Sequence, residues 1–485
     1  MLLPTTSSAL LAQASNVSDI VSATFEVLTT PSGMLGAAIG FVFLAAVFIR
    51  RDGPYIGGAA VIVFMTMMAQ ENKYFDTTLI GPLHALRDVA RVGSLAVLAL
   101  MAANLAMAPA NLRQRRATLA MVLFFAFETL YLGRLALHGE VSRAALGWLA
   151  DLLILLAFGI GFGKKLDTEA DFERYVRMFG AASIVFVVLN ITQLLLGYRY
   201  AIAGGRFAGI SGNPQLAGYV CAVFILFNTH IFTTSKFGSP ARWIYAITLG
   251  ILAILILWSG SRTSALCAVA GLLAYFRLRL GKLIVAAGVG GIVLFFAASF
   301  FSESLDGINR FIEGENTREA VWTKLIEDFN SSPMLGTIQE RQGEVISASE
   351  SSYLTTLSLM GLSGFIPLMF LVFVFMWGAL KVYMARLSRT VNPAQADLVL
   401  GCIPIIMIGS VFEGFFLGIL AFSVIWIYAA MSLVGYINER AAVPIEGERL
   451  ELESQDEFEG DEHVDDGELD RGEFDQGERA TTSHA

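Results

Sequence analysis

Long runs of apolar residues, separated by short polar stretches, make up most of the chain. Thirteen runs have about the length that an α-helix needs to cross the roughly 30 Å hydrocarbon core of a bilayer. They predict helices at 34–50, 55–70, 89–108, 117–137, 145–163, 176–197, 214–234, 241–258, 263–277, 283–301, 353–380, 397–412 and 415–437. The last two come from one apolar stretch that is too long for a single span and is divided at Glu413-Gly414. The pattern predicts an all-α, polytopic transmembrane helix bundle of about 12–13 helices.

The longest polar stretch between two predicted spans covers residues 302–352 and contains ten carboxylates and four basic residues. It predicts one large loop outside the membrane. The resulting division is a lead-in at 1–33, ten transmembrane helices at 34–301, the loop at 302–352, three helices at 353–437 and a tail at 438–485.

Composition supports a membrane protein. Hydrophobic residues make up 55% of the chain and charged residues 15%, against about 25% charged residues in soluble domains. The three cysteines, Cys221, Cys267 and Cys402, lie in apolar runs and predict neither a disulfide framework nor a zinc site. The net charge of −9 comes from residues 446–485, which hold 16 acidic and 3 basic residues. So few apolar residues predict a disordered acidic tail.

Basic residues predict the orientation, because short cytoplasmic loops are enriched in Lys and Arg. The basic connections are every second one along the chain: Arg50-Arg51, Arg113-Arg115-Arg116, Lys164-Lys165, Lys236 with Arg242, Arg277-Arg279-Lys282 and Lys381-Arg386-Arg389. This places the acidic tail in the cytoplasm and the N-terminus outside. The stretch 198–213, the turn 259–262, the loop 302–352 and the turn at Glu413 then share the outer side.

Two arginines lie at the outer edge of apolar segments, in Gly205-Arg206-Phe207-Ala208-Gly209 and in Ser259-Gly260-Ser261-Arg262. A charged side chain at the centre of a membrane helix costs at least about 2.5 kcal/mol, and less near the interface. Arg199, Arg310, Arg318 and Arg341 add further positive charge on the side where few basic residues are expected. An anion-binding site explains this cluster, because guanidinium groups bind phosphate through a bidentate fork. The alternative is ordinary snorkelling or structural ion pairing.

Glu350 immediately precedes the predicted span at 353–380. The pKa of a carboxylate that enters an apolar environment is raised, which suits a general base. The alternative is a helix-capping role, for which Ser349 and Ser351 are further candidates.

Several motifs follow one another in a fixed order: Arg206 with Gly209 and Asn213-Pro214; Ser259-Gly260-Ser261-Arg262; Arg318 with Trp322 and Ser332-Pro333-Met334-Leu335-Gly336; and Glu350-Ser351-Ser352-Tyr353-Leu354 with Gly361-Leu362-Ser363-Gly364. This order resembles that of the O-antigen ligase and O-antigen polymerase superfamily of bacterial envelope proteins. The resemblance covers about residues 200–380.

The resemblance implies an enzyme that acts at the outer face of the bacterial inner membrane. It would transfer a glycan from an undecaprenyl pyrophosphate-linked donor to a glycan acceptor, without a metal, a nucleotide sugar or another cofactor. Arg206, Arg262 and Arg318 would bind the pyrophosphate and Glu350 would act as the general base. Tyr353, Asn213 and Ser261 would support the site. The expected partners are the donor, the acceptor, membrane lipid and other polysaccharide-assembly proteins, and not nucleic acid.

One departure from the family pattern favours a polysaccharide polymerase. Ligases of this family usually have a histidine where this chain has Glu350, and this chain has no histidine near that position in the sequence. A ligase that uses lipid A-core as acceptor is the first alternative. A transporter of lipid-linked oligosaccharide is the second. Such a protein should need charged or polar residues at mid-membrane depth, and this chain has few there, mainly Glu128, Asn190 and Gln193. A non-catalytic envelope protein is the third.

Overall fold

The computed structural model describes residues 31–67, 79, 81–107, 118–137, 139–281, 318–337, 351–417 and 421–442. Thirteen helices form within these ranges: Pro31–Ile49 (α1), Gly53–Thr66 (α2), Gly81–Met107 (α3), Leu119–Leu137 (α4), Val141–Lys165 (α5), Glu169–Ala201 (α6), Pro214–Thr234 (α7), Pro240–Ser259 (α8), Arg262–Leu280 (α9), Arg318–Ser331 (α10), Ser352–Leu387 (α11), Pro393–Phe412 (α12) and Phe422–Ala441 (α13). A two-stranded antiparallel sheet, Ile202–Ala203 (β1) and Arg206–Phe207 (β2), joins α6 to α7.

These helices confirm the predicted fold class: the chain is a polytopic helical membrane protein. Among the helices of the described ranges, seven are long and apolar enough to cross a membrane: α4, α5, α6, α7, α8, α11 and α12. Each predicted span corresponds to a helix except 283–301, which lies outside the described residues. One helix, α10, forms inside the loop 302–352, where the apolar pattern had predicted none.

Helix ends differ from the predicted ones where polar residues extend a helix beyond its apolar run. α6 begins at Glu169 instead of residue 176. There Thr168 and Asp171 form a capping box, in which the Thr168 hydroxyl accepts a hydrogen bond of 3.1 Å from the Asp171 N–H. Such a cap satisfies backbone donors that the first helical turn leaves open. α13 likewise continues to Ala441, past the predicted tail boundary at residue 438.

The helix α5 contains a π-helical segment, Leu155–Gly161. The Ser432 hydroxyl of α13 donates hydrogen bonds to the carbonyls of Phe158 and Gly159, at 2.6 and 3.1 Å. A π segment leaves carbonyls without their usual partner in the helix. The single proton of the Ser432 hydroxyl is shared among these two carbonyls and that of Tyr428, and the contact ties α5 to α13.

The core lies around α7 and α13. In α7, 83% of the apolar stretch is buried inside the protein, whereas in α8 the buried share is 22%. The rings of Phe179 and Phe227 stack 4.2 Å apart, and the fully buried Trp426 packs edge-on against both. α7 therefore crosses the interior of the bundle, and α8 faces its outside.

Helix connections gather at two ends of the bundle. At one end, the basic end, the buried carboxylate of Asp397 pairs with Arg279 and Arg386, each through a 2.8 Å contact. Lys165 donates to the carbonyl of Arg51 at this end. At the other end lie the α6–α7, α8–α9 and α12–α13 connections and the segment 318–337. We call this second end the site end.

Two carboxylates are buried on the membrane-spanning helices α4 and α5. Glu128 and Asp151 both have 0% exposure. Glu128 is apparent from the sequence as a polar residue at mid-membrane depth, whereas Asp151 was not singled out. Within the described part of the chain, neither oxygen of Asp151 has a hydrogen-bond partner.

Candidate functional site

Arg206 is positioned by the hairpin between α6 and α7. Ala203 pairs with Arg206, and the turn between them is Gly204-Gly205, with φ of +55° and +74°. Two consecutive positive φ angles are those of a type I′ turn, which glycine adopts at little steric cost. The Arg206 side chain is 8% exposed, and its Nε donates a 2.7 Å hydrogen bond to the carbonyl of Ser259. The hairpin therefore holds Arg206 against the end of α8.

The α8–α9 connection is a sharp turn that ends one helix and begins the next. Gly260, with φ of +61°, follows α8 in the left-handed conformation. Ser261 is the N-cap of α9: its hydroxyl accepts from the Ser264 N–H at 3.3 Å and lies 2.7 Å from the Ser264 hydroxyl. Arg262 is the first residue of α9 and its side chain is exposed. The helix dipole adds partial positive charge at the same place.

Arg318, the first residue of α10, also reaches this turn. Its Nη2 donates to the Thr263 hydroxyl at 2.9 Å and to the Glu413 carboxylate at 3.0 Å. The guanidinium lies over the Phe412 ring, 5.2 Å from its centroid. The Trp322 ring stacks with the Phe412 ring, and their centroids are 6.3 Å apart. α10 is thereby attached to the turn after α12.

The three predicted arginines are brought together by the turn 259–263. Arg206 binds the carbonyl of its first residue, Arg262 belongs to it, and Arg318 binds the side chain of its last residue. These arginines come from three motifs separated by long stretches of sequence. All three arginines are thus attached to one turn at the site end, and guanidinium groups are suited to binding phosphate.

The beginning of α11 is fixed against the turn after α12. Ser351 is the N-cap and its hydroxyl accepts from the Leu354 N–H at 3.4 Å. The N–H and the hydroxyl of Ser352 both donate to the carbonyl of Glu413, at 3.1 and 2.9 Å. Of the capping candidates, Ser351 is therefore the one used. Glu350, the predicted base, lies outside the described residues.

The three predicted supporting residues stabilise the framework around the arginines. Asn213 is the N-cap of α7 and accepts from the Gln215 N–H at 2.8 Å. Ser261 caps α9 as described above. The Tyr353 hydroxyl lies 3.2 Å from the Ser410 hydroxyl, between α11 and α12.

The segment 332–337 is clamped to an interruption of α11 at Gly361. Gly361 has φ of +59° and ψ of −155°, a conformation that is essentially restricted to glycine. The N–H groups of Leu362 and Ser363 donate to the carbonyls of Pro333 and Met334, at 2.8 and 3.1 Å. A Cβ atom at Gly361 would lie 2.5 Å from the backbone of Met334. The two glycine-containing motifs of the sequence analysis are thus the two halves of one backbone contact.

Sequence reasoning missed the contribution of Glu413, Phe412 and Thr263. The Glu413-Gly414 pair was recognised only as a division between two helices. A carboxylate in a turn on the arginine-rich side was the available signal, but no sequence spacing relates Glu413 to Arg318.

The chain matches the family profile described as O-antigen ligase over residues 247–369. The matched range includes Arg262, Arg318 and the Gly361 clamp, and excludes Arg206 and Glu413. No curated protein matches the chain. This match confirms the resemblance to the O-antigen ligase and polymerase superfamily over residues 247–369 of a chain with a multi-pass helical fold.

Proposed function

We propose that the protein is an inner-membrane glycosyltransferase that takes a glycan from undecaprenyl pyrophosphate and adds it to a glycan acceptor as a polysaccharide polymerase. In this proposal the site end faces the periplasm and the acidic tail is cytoplasmic. The observation that carries the proposal is the convergence of Arg206, Arg262 and Arg318 on the turn 259–263.

The arginines would bind the pyrophosphate of the donor. Charge-assisted hydrogen bonds contribute roughly 1.5–3 kcal/mol each, and guanidinium groups match the geometry of phosphate oxygens. The same groups would stabilise the negative charge that develops on the departing pyrophosphate. Such preorganised electrostatic stabilisation is usually the largest contribution to catalysis.

Glu350 would act as the general base. It would take the proton of the acceptor hydroxyl while that oxygen forms a bond to the anomeric carbon and the bond from this carbon to the pyrophosphate oxygen breaks. The displacement inverts the anomeric configuration. Glu350 lies outside the described residues; two positions later in the sequence, Ser352 donates to the Glu413 carbonyl, and the Glu413 carboxylate binds Arg318.

The choice of acceptor separates a polymerase from a ligase. We favour the polymerase because a glutamate occupies the position at which ligases of the family usually have histidine. Glycan profiles of a deletion strain test this choice. Loss of a polymerase leaves single repeat units, whereas loss of a ligase leaves polymer on the lipid carrier.

The decisive experiment uses purified protein in detergent with a lipid-linked oligosaccharide and compares the wild type with Glu350→Gln. The expected result is that the wild type extends the glycan and the variant binds donor without transferring it. Equal transfer by both proteins rejects Glu350 as the base. Donor binding without transfer by the wild type favours the ligase, and lipid A-core is then added as acceptor. Unchanged glycan amount and chain length after both Arg206→Ala and Arg262→Ala reject the donor site.

A transporter of lipid-linked oligosaccharide is the second candidate, and the buried carboxylates Glu128 and Asp151 favour it. Intramembrane ionisable residues often mark transport or proton pathways. Proteoliposomes distinguish the two functions. A transporter moves the lipid-linked glycan across the bilayer and loses this activity in Asp151→Asn, whereas the proposed polymerase retains glycan transfer in that variant.

A further inference from the structure

We infer that Glu413 is a positioning residue of this site, which acts by holding Arg318 in place for the donor; the inference rests on the proposed function. Glu413 lies outside the range of the family match. It makes contacts through both its side chain and its backbone, and these contacts connect separate parts of the site.

The side-chain contact holds the beginning of α10. The Glu413 carboxylate accepts from Arg318 Nη2 at 3.0 Å, and the two side chains are 14% and 23% exposed. The neighbouring Phe412 contacts both the Arg318 guanidinium and the Trp322 ring. A partly buried ion pair supported by aromatic contacts is less screened by solvent than an exposed pair. It therefore keeps α10 on the site end.

The backbone contact holds the beginning of α11. The Glu413 carbonyl accepts two hydrogen bonds from Ser352, and the Ser352 hydroxyl accepts one of 3.1 Å from the Phe416 N–H. The turn 413–416 is thus joined to the segment that follows Glu350. Through Thr263, Arg318 also joins this turn to the beginning of α9.

The hydrogen bonds of Arg318 leave most of its donors available. Both contacts use Nη2, and within the described ranges Nη1 and Nε make no hydrogen bond. A guanidinium has five N–H donors, so three remain for a ligand. A planar group that is already held loses less conformational entropy when it binds a phosphate. Glu413 therefore orients Arg318 and leaves its Nη1 and Nε donors for the phosphate oxygens of the donor.

The test measures donor affinity and transfer rate for Glu413→Gln, Glu413→Asp, Arg318→Ala and the double variant Glu413→Gln/Arg318→Ala. We expect Glu413→Gln to weaken donor binding about tenfold, with a smaller change in the rate at saturating donor. Glu413→Asp should recover part of the affinity. In the Arg318→Ala background, Glu413→Gln should change affinity less than twofold, because coupled residues are not additive. Glu319→Gln, an exposed carboxylate next to Arg318, is the matched control and should bind donor like the wild type.

Hydrogen exchange of the amides in residues 318–331 gives a readout that does not depend on activity. We expect Glu413→Gln to speed exchange there and Glu319→Gln to leave it unchanged. Unchanged exchange in Glu413→Gln overturns the inference. So do additive effects with Arg318→Ala, and so does a loss confined to the saturated transfer rate, which assigns Glu413 a direct part in the chemistry. Failure of the wild type to bind donor overturns the proposed function instead, and is recognised before any variant is compared.

Discussion

The Nε of Arg206 lies 2.7 Å from the backbone carbonyl of Ser259, 53 positions later in the chain. This contact joins a hairpin between two membrane helices to the end of another helix. It uses one guanidinium donor to fix the side chain at a buried position. A lysine at this position has no equivalent of the Nε–H group, although it preserves the charge.

We therefore expect Arg206→Lys to impair donor binding although the net charge is unchanged. Loss of one charge-assisted hydrogen bond and of bidentate binding corresponds to about 1.5–3 kcal/mol, or at least roughly tenfold in affinity. Titration with a lipid-linked oligosaccharide measures the effect. Arg143→Lys is the control, because Arg143 is exposed and pairs with Glu140, the residue that precedes α5. Wild-type affinity in Arg206→Lys contradicts the prediction.

Gly361→Ala should release the segment 332–337 from α11. Alanine at this position combines a strained backbone conformation, roughly 1–3 kcal/mol, with a Cβ that would lie 2.5 Å from Met334. We expect faster proteolysis at 332–337 and a lower thermal midpoint in detergent. Gly250→Ala on α8 is the control, since nothing lies within 4 Å of a Cβ there. Equal protease resistance of the two variants argues against the clamp.

Ser351→Ala should destabilise the beginning of α11 by about 0.5–2 kcal/mol, the usual cost of removing an N-cap. Ser351→Asp retains an oxygen acceptor and should recover most of this stability. Thermal unfolding of the purified protein measures both changes. Because capping belongs to Ser351, Glu350→Gln should leave the unfolding midpoint unchanged, and a large shift in that variant counts against this division of roles.

Asp397→Asn should destabilise the basic end. The Asp397 side chain is 1% exposed and interacts with Arg279 and Arg386. Removing one partner of a buried charge cluster costs about 3–5 kcal/mol, because the remaining charges lose their compensation. The expected result is a lower unfolding midpoint with unchanged donor affinity in the protein that remains folded. Glu140→Gln at an exposed pair serves as the control, and a similar midpoint for both variants contradicts the prediction.

The sequence predicted the helices well, because apolar length is a strong signal in a membrane protein. It also placed Arg206, Arg262 and Arg318 on one side through the alternation of basic loops. Their meeting at the turn 259–263 depends on tertiary contacts between segments far apart in sequence. No local pattern specifies which carbonyl Arg206 binds or which carboxylate Arg318 meets.

The apolar pattern did not predict α10, which lies within the loop 302–352. α10 is amphipathic and polar, so its residues resemble those of an ordinary loop. Its ends are stabilised by contacts made elsewhere: Arg318 with Glu413, and Pro333 and Met334 with the interruption of α11. No pattern in the sequence pairs the segment 332–337 with Gly361, because this contact is made between backbone groups.

The clamp at Gly361 has a consequence for protein engineering. The segment 332–337 is bound through backbone groups, whereas the beginning of α10 is bound through the Arg318–Glu413 side-chain pair. A chimera that imports this loop from a relative therefore needs to import residues 358–363 and a compatible residue at position 413 as well. Exchange of the loop alone between two relatives should yield hybrids that insert into the membrane and lack an assembled site.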